Sequence, residues 1–244
     1  MTPASVIPQV EPYLAAFAQG ALAYAQQHGT RPERVSLLAA ICLRETHAGW
    51  APGYRPRGSP TGTGDWVLRT GHWTHELGVV QWPDTGGFRS TLKAAGWSLP
   101  RDSRGEVLPG PYATPRDGRG WGRGLFQLDI LGACRDLIPP PDAPWQVDLQ
   151  AYAAAQHMDI ARRVLRDVTG DAAMLERAVV VAYNAGAVRA AKALRSAVSA
   201  GRPDAIDDVT TGHDYSRDVL ALEAAVAARW PDTAVEIPVP PRSA

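Results

Sequence analysis

Cysteine is scarce in this chain: Cys42 and Cys134 are the only two in 244 residues. They lack CxxC spacing, which excludes a thiolate zinc site, and two are too few for a disulfide-dense scaffold. Two buried thiols are the simplest expectation, with one disulfide as the alternative. Net charge is also missing, since 25 basic side chains meet 25 acidic ones. No electrostatic footprint for nucleic acid or anionic lipid follows from that balance. No apolar run is long enough to span a bilayer. A secretory leader is not expected either. Tyr13 to Ala25 is fairly apolar, but Glu11 and prolines precede it, no basic segment opens it, and Gln19 and Gly20 interrupt it. Internal repeats are absent.

What is present divides into regions of different texture. Residues 1–49 read as helical. Residues 50–122 are rich in Gly, Pro, Trp and Arg and show little helical periodicity. Residues 145–230 are alanine-rich, with helices expected at about Asp148–Asp167, Ala172–Tyr183, Gly186–Gly201 and Asp214–Trp230. The run AVVVAY before Asn184 is apolar on every side, the pattern of a helix at the centre of a domain. A tail from Pro231 to Ala244 carries four prolines and is expected to have no fold of its own. The expected organisation is therefore one mainly α domain over 1–230, with 50–116 as an insertion and 231–244 as a tail.

The second helix has a start signal: Thr30 and Glu33 have capping-box spacing, and Pro32 suits a first turn. Leu38, Ile41, Cys42 and Glu45 then fall at i, i+3, i+4 and i+7, on one face. Glu45 sits at the C-terminal end of that apolar stripe, before a stop at Gly49. Partial desolvation and the negative helix end both favour its protonated form. That is the environment of a general acid, although a solvated helix-end carboxylate has the same sequence.

The stretch DGRGWGRGLFQLD, Asp117 to Asp129, contains Gly118, Gly120, Gly122 and Gly124. Glycine at this density opposes a regular helix and lets backbone lie close to a ligand. Walker and Rossmann spacings are absent, and one short RGG-like copy on a neutral chain is a poor RNA-binding tract.

Four segments together resemble the goose-type lysozymes and their lytic transglycosylase relatives, glycoside hydrolase family 23. LRETHAG, Leu43 to Gly49, is similar to that family's catalytic-glutamate segment. GLFQLD, Gly124 to Asp129, is similar to its glycine-leucine-methionine-glutamine loop. AYNAG, Ala182 to Gly186, matches its motif at every letter, and TTGHDYSRDV, Thr210 to Val219, resembles its closing tyrosine segment. The resemblance covers residues 30–49 and 117–230.

It implies a lysozyme-like fold, a helical bundle around a substrate cleft with a small β or loop insertion. It implies that Glu45 protonates the glycosidic oxygen and that Tyr183 hydrogen-bonds that carboxyl. Tyr215 would line the same site, while Gln127 and Asn184 would hold N-acetyl and hydroxyl groups. Gly124, Leu125 and His47 fall within the matched segments and join the substrate-binding set, His47 reading equally as a packing or hydrogen-bonding residue. Asp117 and Asp129 match the aspartates that goose-type lysozymes set across the cleft to position or activate water. An inverting hydrolase needs such a second carboxylate, about 6.5–9.5 Å from the acid. Lytic transglycosylases lack it and form an internal anhydro ring. Each aspartate has another reading: Asp129 as the cap of a helix starting near Ile130, and Asp117 as a turn residue before Gly118. Asp117 is the looser match, because its loop carries one more residue than the family's.

The chain departs from the family at residues 50–116, where a short connection is usual. Six of its eight tryptophans lie at 50–121 (Trp50, Trp66, Trp73, Trp82, Trp97 and Trp121), which suits either a sugar-stacking groove or a small satellite core. WVLR and GVVQW read as strands of a flap, and Asp65 or Asp84 could supply the second carboxylate. His72 and His75, with His47, make a poor metal set without a clear third acidic or thiol ligand, so neither metal nor cofactor is expected. His213 reads as a packing or hydrogen-bonding residue.

The implied activity is a muramidase that hydrolyses the β-1,4 bond between N-acetylmuramic acid and N-acetylglucosamine. Lytic transglycosylation of that bond, chitin cleavage and a non-catalytic wall-binding role are the alternatives. The expected partner is peptidoglycan or a related N-acetylglucosamine glycan, not nucleic acid or membrane, acted on by a monomer. Unless a leader precedes the given sequence, the expected routes to the wall are phage lysis, injection or non-classical export, and an injected effector would have an immunity protein.

Overall fold

The computed structural model of the chain describes residues 7–46, 122–129, 132–138 and 145–234, with only the backbone described at Arg123, Asp129, Thr211 and Ala234. The described residues are mainly helical. They contain α1 (Leu14–His28), α2 (Val35–Thr46), α3 (Val147–Leu165), α4 (Ala172–Ala185), α5 (Ala187–Ala200) and α6 (Tyr215–Arg229). Strands β1 (Gly122–Arg123) and β2 (Leu128–Asp129) form one antiparallel hairpin, pairing Gly122 with Asp129 and Arg123 with Leu128. No helix among the described residues is long and apolar enough to cross a membrane. The fold divides into two compact units, one of Met1–Arg44 with Ala151–Ala244 and one of Glu45–Gln150.

The four helices expected in the alanine-rich region all form, with ends within two residues of the sequence reading. Their caps explain the agreement. The Asp171 carboxylate accepts hydrogen bonds from Ala173 and Met174 N–H and so opens α4. Gly186, at φ 82°, closes α4 and opens α5, and Gly201, at φ 61°, closes α5. Ala178 to Ala182 are buried on every side, as the all-apolar pattern requires.

The start of α2 differs from its sequence signal. Thr30 does not cap it, because Gly29 takes the left-handed conformation and Thr30 N–H bonds back to Ala25 C=O. Thr30 thus finishes α1 rather than opening α2. Arg34 supplies the first carbonyl of α2, to Leu37 and Leu38. Glu33 turns to Arg162, with an Nη1–Oε2 distance of 2.6 Å. The single apolar face read for α2 is also too narrow, since Leu37 through Leu43 are all 0% exposed. The last turn ends at Thr46. At the other end of the chain, Pro231–Ala234 form a short 3-10 turn, and Thr233 Oγ1 donates to Trp230 C=O at 2.6 Å.

Two ionic networks among the described residues help to tie the helical unit. Arg162 binds Glu33 at 2.6 Å and reaches both Glu176 oxygens, at 3.0 and 3.1 Å. Arg34 joins Glu176 at 3.5 Å and Glu223 at 2.8 Å, linking the start of α2 to α4 and α6. Such a pairing returns its desolvation cost only if every charge keeps a partner. In the second network, Asp207 accepts from Ser216 N–H at 2.8 Å, Ser216 Oγ at 2.5 Å and Arg177 Nη2 at 3.0 Å. It acts as a distant cap for α6. Burial raises the Asp207 pKa, but these donors outweigh burial and hold it below the ordinary carboxylate value. Cys42 and Cys134 are buried thiols, and burial pushes Cys134 up to about 12.

Candidate active site

Within the Glu45–Gln150 unit, the end of α2 meets the glycine-rich hairpin. Glu45 is half-buried in the last turn, and Thr46 follows it fully inside. The Thr46 hydroxyl donates to Leu125 C=O at 3.0 Å, across 79 residues of sequence. Two of the segments singled out in the sequence, LRETHAG and GLFQLD, are joined by that bond.

The turn between β1 and β2 comprises Gly124, Leu125, Phe126 and Gln127. Gln127 N–H and Gln127 Nε2 both donate to Gly124 C=O, at 3.2 and 2.9 Å. Leu125 and Phe126 plug inward, at 1% and 0% exposure. Gln127, half-exposed, has φ 49°, a conformation that costs a non-glycine residue of order 1 kcal/mol. With its nitrogen held by the turn, its Oε1 is the end left to accept from a ligand.

Two features favour glycine at position 124. Its φ is 75°, and a Cβ there would lie 2.6 Å from Gln150 Oε1 and 2.8 Å from Trp145 Cζ3. Those neighbours form the floor of the turn. Gln150 Oε1 accepts Leu125 N–H at 2.7 Å, and Gln150 Nε2 donates to Trp145 C=O at 2.7 Å. Neither Gln150 nor Trp145 stands out in the sequence. Gln150 lies in the first turn of an alanine-rich helix, where a glutamine is ordinary. Only the fold reveals what it reaches.

The helical unit holds the other named residues. Tyr183 is half-buried and Asn184 exposed at the last turn of α4. The His157 ring packs edge-on against Tyr183 with centroids 4.9 Å apart. Burial lowers the His157 pKa, against the opposing pull of a hydrogen bond to Ala182 C=O. His157 thus belongs beside the AYNAG segment, a role its sequence position did not signal. Tyr215 is only 2% exposed and opens α6 beneath the Arg44 guanidinium, which lies 5.4 Å from the ring centroid. Arg44 also reaches Asp214 at 3.5 Å and Asp218 at 3.8 Å. His213 has φ 57°, and its Nδ1 lies 2.9 Å from Asp208 C=O, a hydrogen-bonding role.

Of the remaining site residues, Asp129 contributes its backbone to β2, opposite Gly122. Asp117, His47, the aspartates Asp65 and Asp84, the histidines His72 and His75 and the 50–116 insertion with its tryptophans lie outside the described residues. Among the described residues no group of three His, Cys, Asp or Glu side chains could hold a metal ion.

No family model matches the chain, and no curated protein or solved structure is significantly similar to it.

Proposed function

We propose that the chain is a lysozyme-like glycosidase of peptidoglycan, cleaving the β-1,4 bond between N-acetylmuramic acid and N-acetylglucosamine with Glu45 as general acid. The observation that carries this reading is the Thr46–Leu125 hydrogen bond. It joins the helix end that bears Glu45 to a turn whose outer residue, Gln127, keeps an amide oxygen for a ligand. A half-buried carboxyl on a helix end bonded to the turn that carries such an acceptor would suit protonation of a glycosidic oxygen while an N-acetyl or hydroxyl group is held.

In this mechanism Glu45 gives its proton to the leaving oxygen as the glycosidic bond breaks. Water attacks the anomeric carbon from the other face, and a second carboxylate takes its proton. Asp129 is the better candidate for that carboxylate, two residues beyond Gln127, and Asp117 is the other.

The test is digestion of purified peptidoglycan by wild type, Glu45→Gln, Asp117→Asn and Asp129→Asn, with mass analysis of the products. Glu45→Gln should lose roughly 10³-fold in rate. Full activity in that variant removes the acid assigned here. Reducing-end products with loss of rate in an aspartate variant support hydrolysis, whereas products lighter by one water identify lytic transglycosylation instead.

A further inference from the structure

We infer that Gln150 is a positioning residue for this site, holding the Gly124–Gln127 turn where Glu45 and Gln127 can act on one glycan. The inference rests on the glycosidase reading for its catalytic part and on geometry for the rest.

The Leu125 residue is gripped at both of its backbone polar groups. Its N–H goes to Gln150 Oε1 at 2.7 Å, and its C=O receives Thr46 Oγ1 at 3.0 Å. Both side chains are buried, Gln150 at 2% and Thr46 at 3% exposure. Water is therefore excluded as a substitute partner, and a buried N–H without an acceptor is costly. The carboxamide orientation is fixed by its other end, because Nε2 must donate to Trp145 C=O at 2.7 Å. The substitutes nearest in shape do not meet both needs. Asparagine is one methylene short. Glutamate has no donor for Trp145 C=O unless it is protonated. Methionine matches the length and has neither function.

The grip bears on chemistry because of where Leu125 sits. Gln127 is two residues further along the same turn, and Thr46 is the residue after Glu45. Gln150, Leu125 and Thr46 thus form a bonded path from the first turn of α3, through the hairpin, to the helix end that carries the acid. A shift of about 1 Å in such an alignment costs on the order of 10²-fold in rate. Gly124 reports on the same contact independently, since an added Cβ would strike Gln150 Oε1 at 2.6 Å.

Gln150→Met and Gly124→Ala should remain folded and lower kcat about 10- to 100-fold, with a smaller change in KM. Gln150→Glu should recover towards wild type as pH falls and its carboxyl regains a proton to donate to Trp145 C=O. Loss of folded protein alone would not give that recovery. Amide exchange at Leu125 reads the grip without any substrate and should speed up about tenfold or more in Gln150→Met. A folded Gln150→Met with wild-type kcat overturns the positioning role, and unchanged Leu125 exchange overturns the grip itself. A wild type that cleaves no peptidoglycan overturns the glycosidase reading and the catalytic half of this one. Faster Leu125 exchange in Gln150→Met would still establish the grip.

Discussion

Each of the two units is stabilised internally by different means. In the unit of residues 1–44 and 151–244, large apolar faces are buried and charges form networks with several partners each. Arg162 has two carboxylates, Arg34 has two, and Asp207 has three donors. In the described part of the unit at 45–150, one short hairpin depends on single hydrogen bonds from Thr46 and Gln150. The first arrangement spreads its stability over many contacts. The second gives each backbone polar group of Leu125 a single partner.

Substitutions in the helical unit can break or sharpen that contrast. Arg162→Met leaves the buried Glu33 without that cation and Glu176 with Arg34 alone, so the loss should be the largest, about 3 kcal/mol by denaturant unfolding. The amide exchange of Leu125 under native conditions should stay unchanged. If it rises with the loss of stability, the two kinds of support are not separate.

Asp207 provides a smaller effect with a pH signature. Its folded pKa lies below that of the unfolded chain. Its contribution is therefore complete above the unfolded value of about 4 and is lost as pH falls through the folded value. Asp207→Asn should cost about 1–2 kcal/mol at neutral pH, and its stability should decline less steeply than wild type in acid. Parallel stability curves for the two proteins below pH 4 would contradict the cap described for α6.

Val188, 81% exposed on α5, should matter least. Val188→Ser is expected to change unfolding stability by no more than about 0.5 kcal/mol. A larger loss would mean that this face of α5 is covered in solution.

The same contrast separates what could be read in the sequence from what could not. Helices α3 to α6 were legible because Asp171, Gly186 and Gly201 are local signals, and the run Ala178–Ala182 is apolar on every side. The start of α2 is not legible in this way: Thr30 and Glu33 have the right spacing, but Gly29 takes the left-handed conformation and Thr30 closes the preceding helix. Glu45, Gln127 and the hairpin glycines could be singled out as residue types in a pattern. The Gln150 grip could not, because it depends on which backbone amide a common side chain reaches after folding, 25 residues away. The packing of His157 on Tyr183 was hidden for the same reason. Tyr215 was legible as a named position but not as a buried ring under Arg44.

The burial of α2 on every side has a consequence for how this chain can change over generations. Leu37 through Leu43 have no solvent-facing position, so a mutation at any of the seven alters packing and most must be answered elsewhere. Divergence along the lineage should therefore slow at this helix and run faster at α5, whose outer face carries Val188, Arg189 and Lys192 in the open. Glu45 stands at the end of the slow segment, on a stem that leaves little freedom to drift out of alignment.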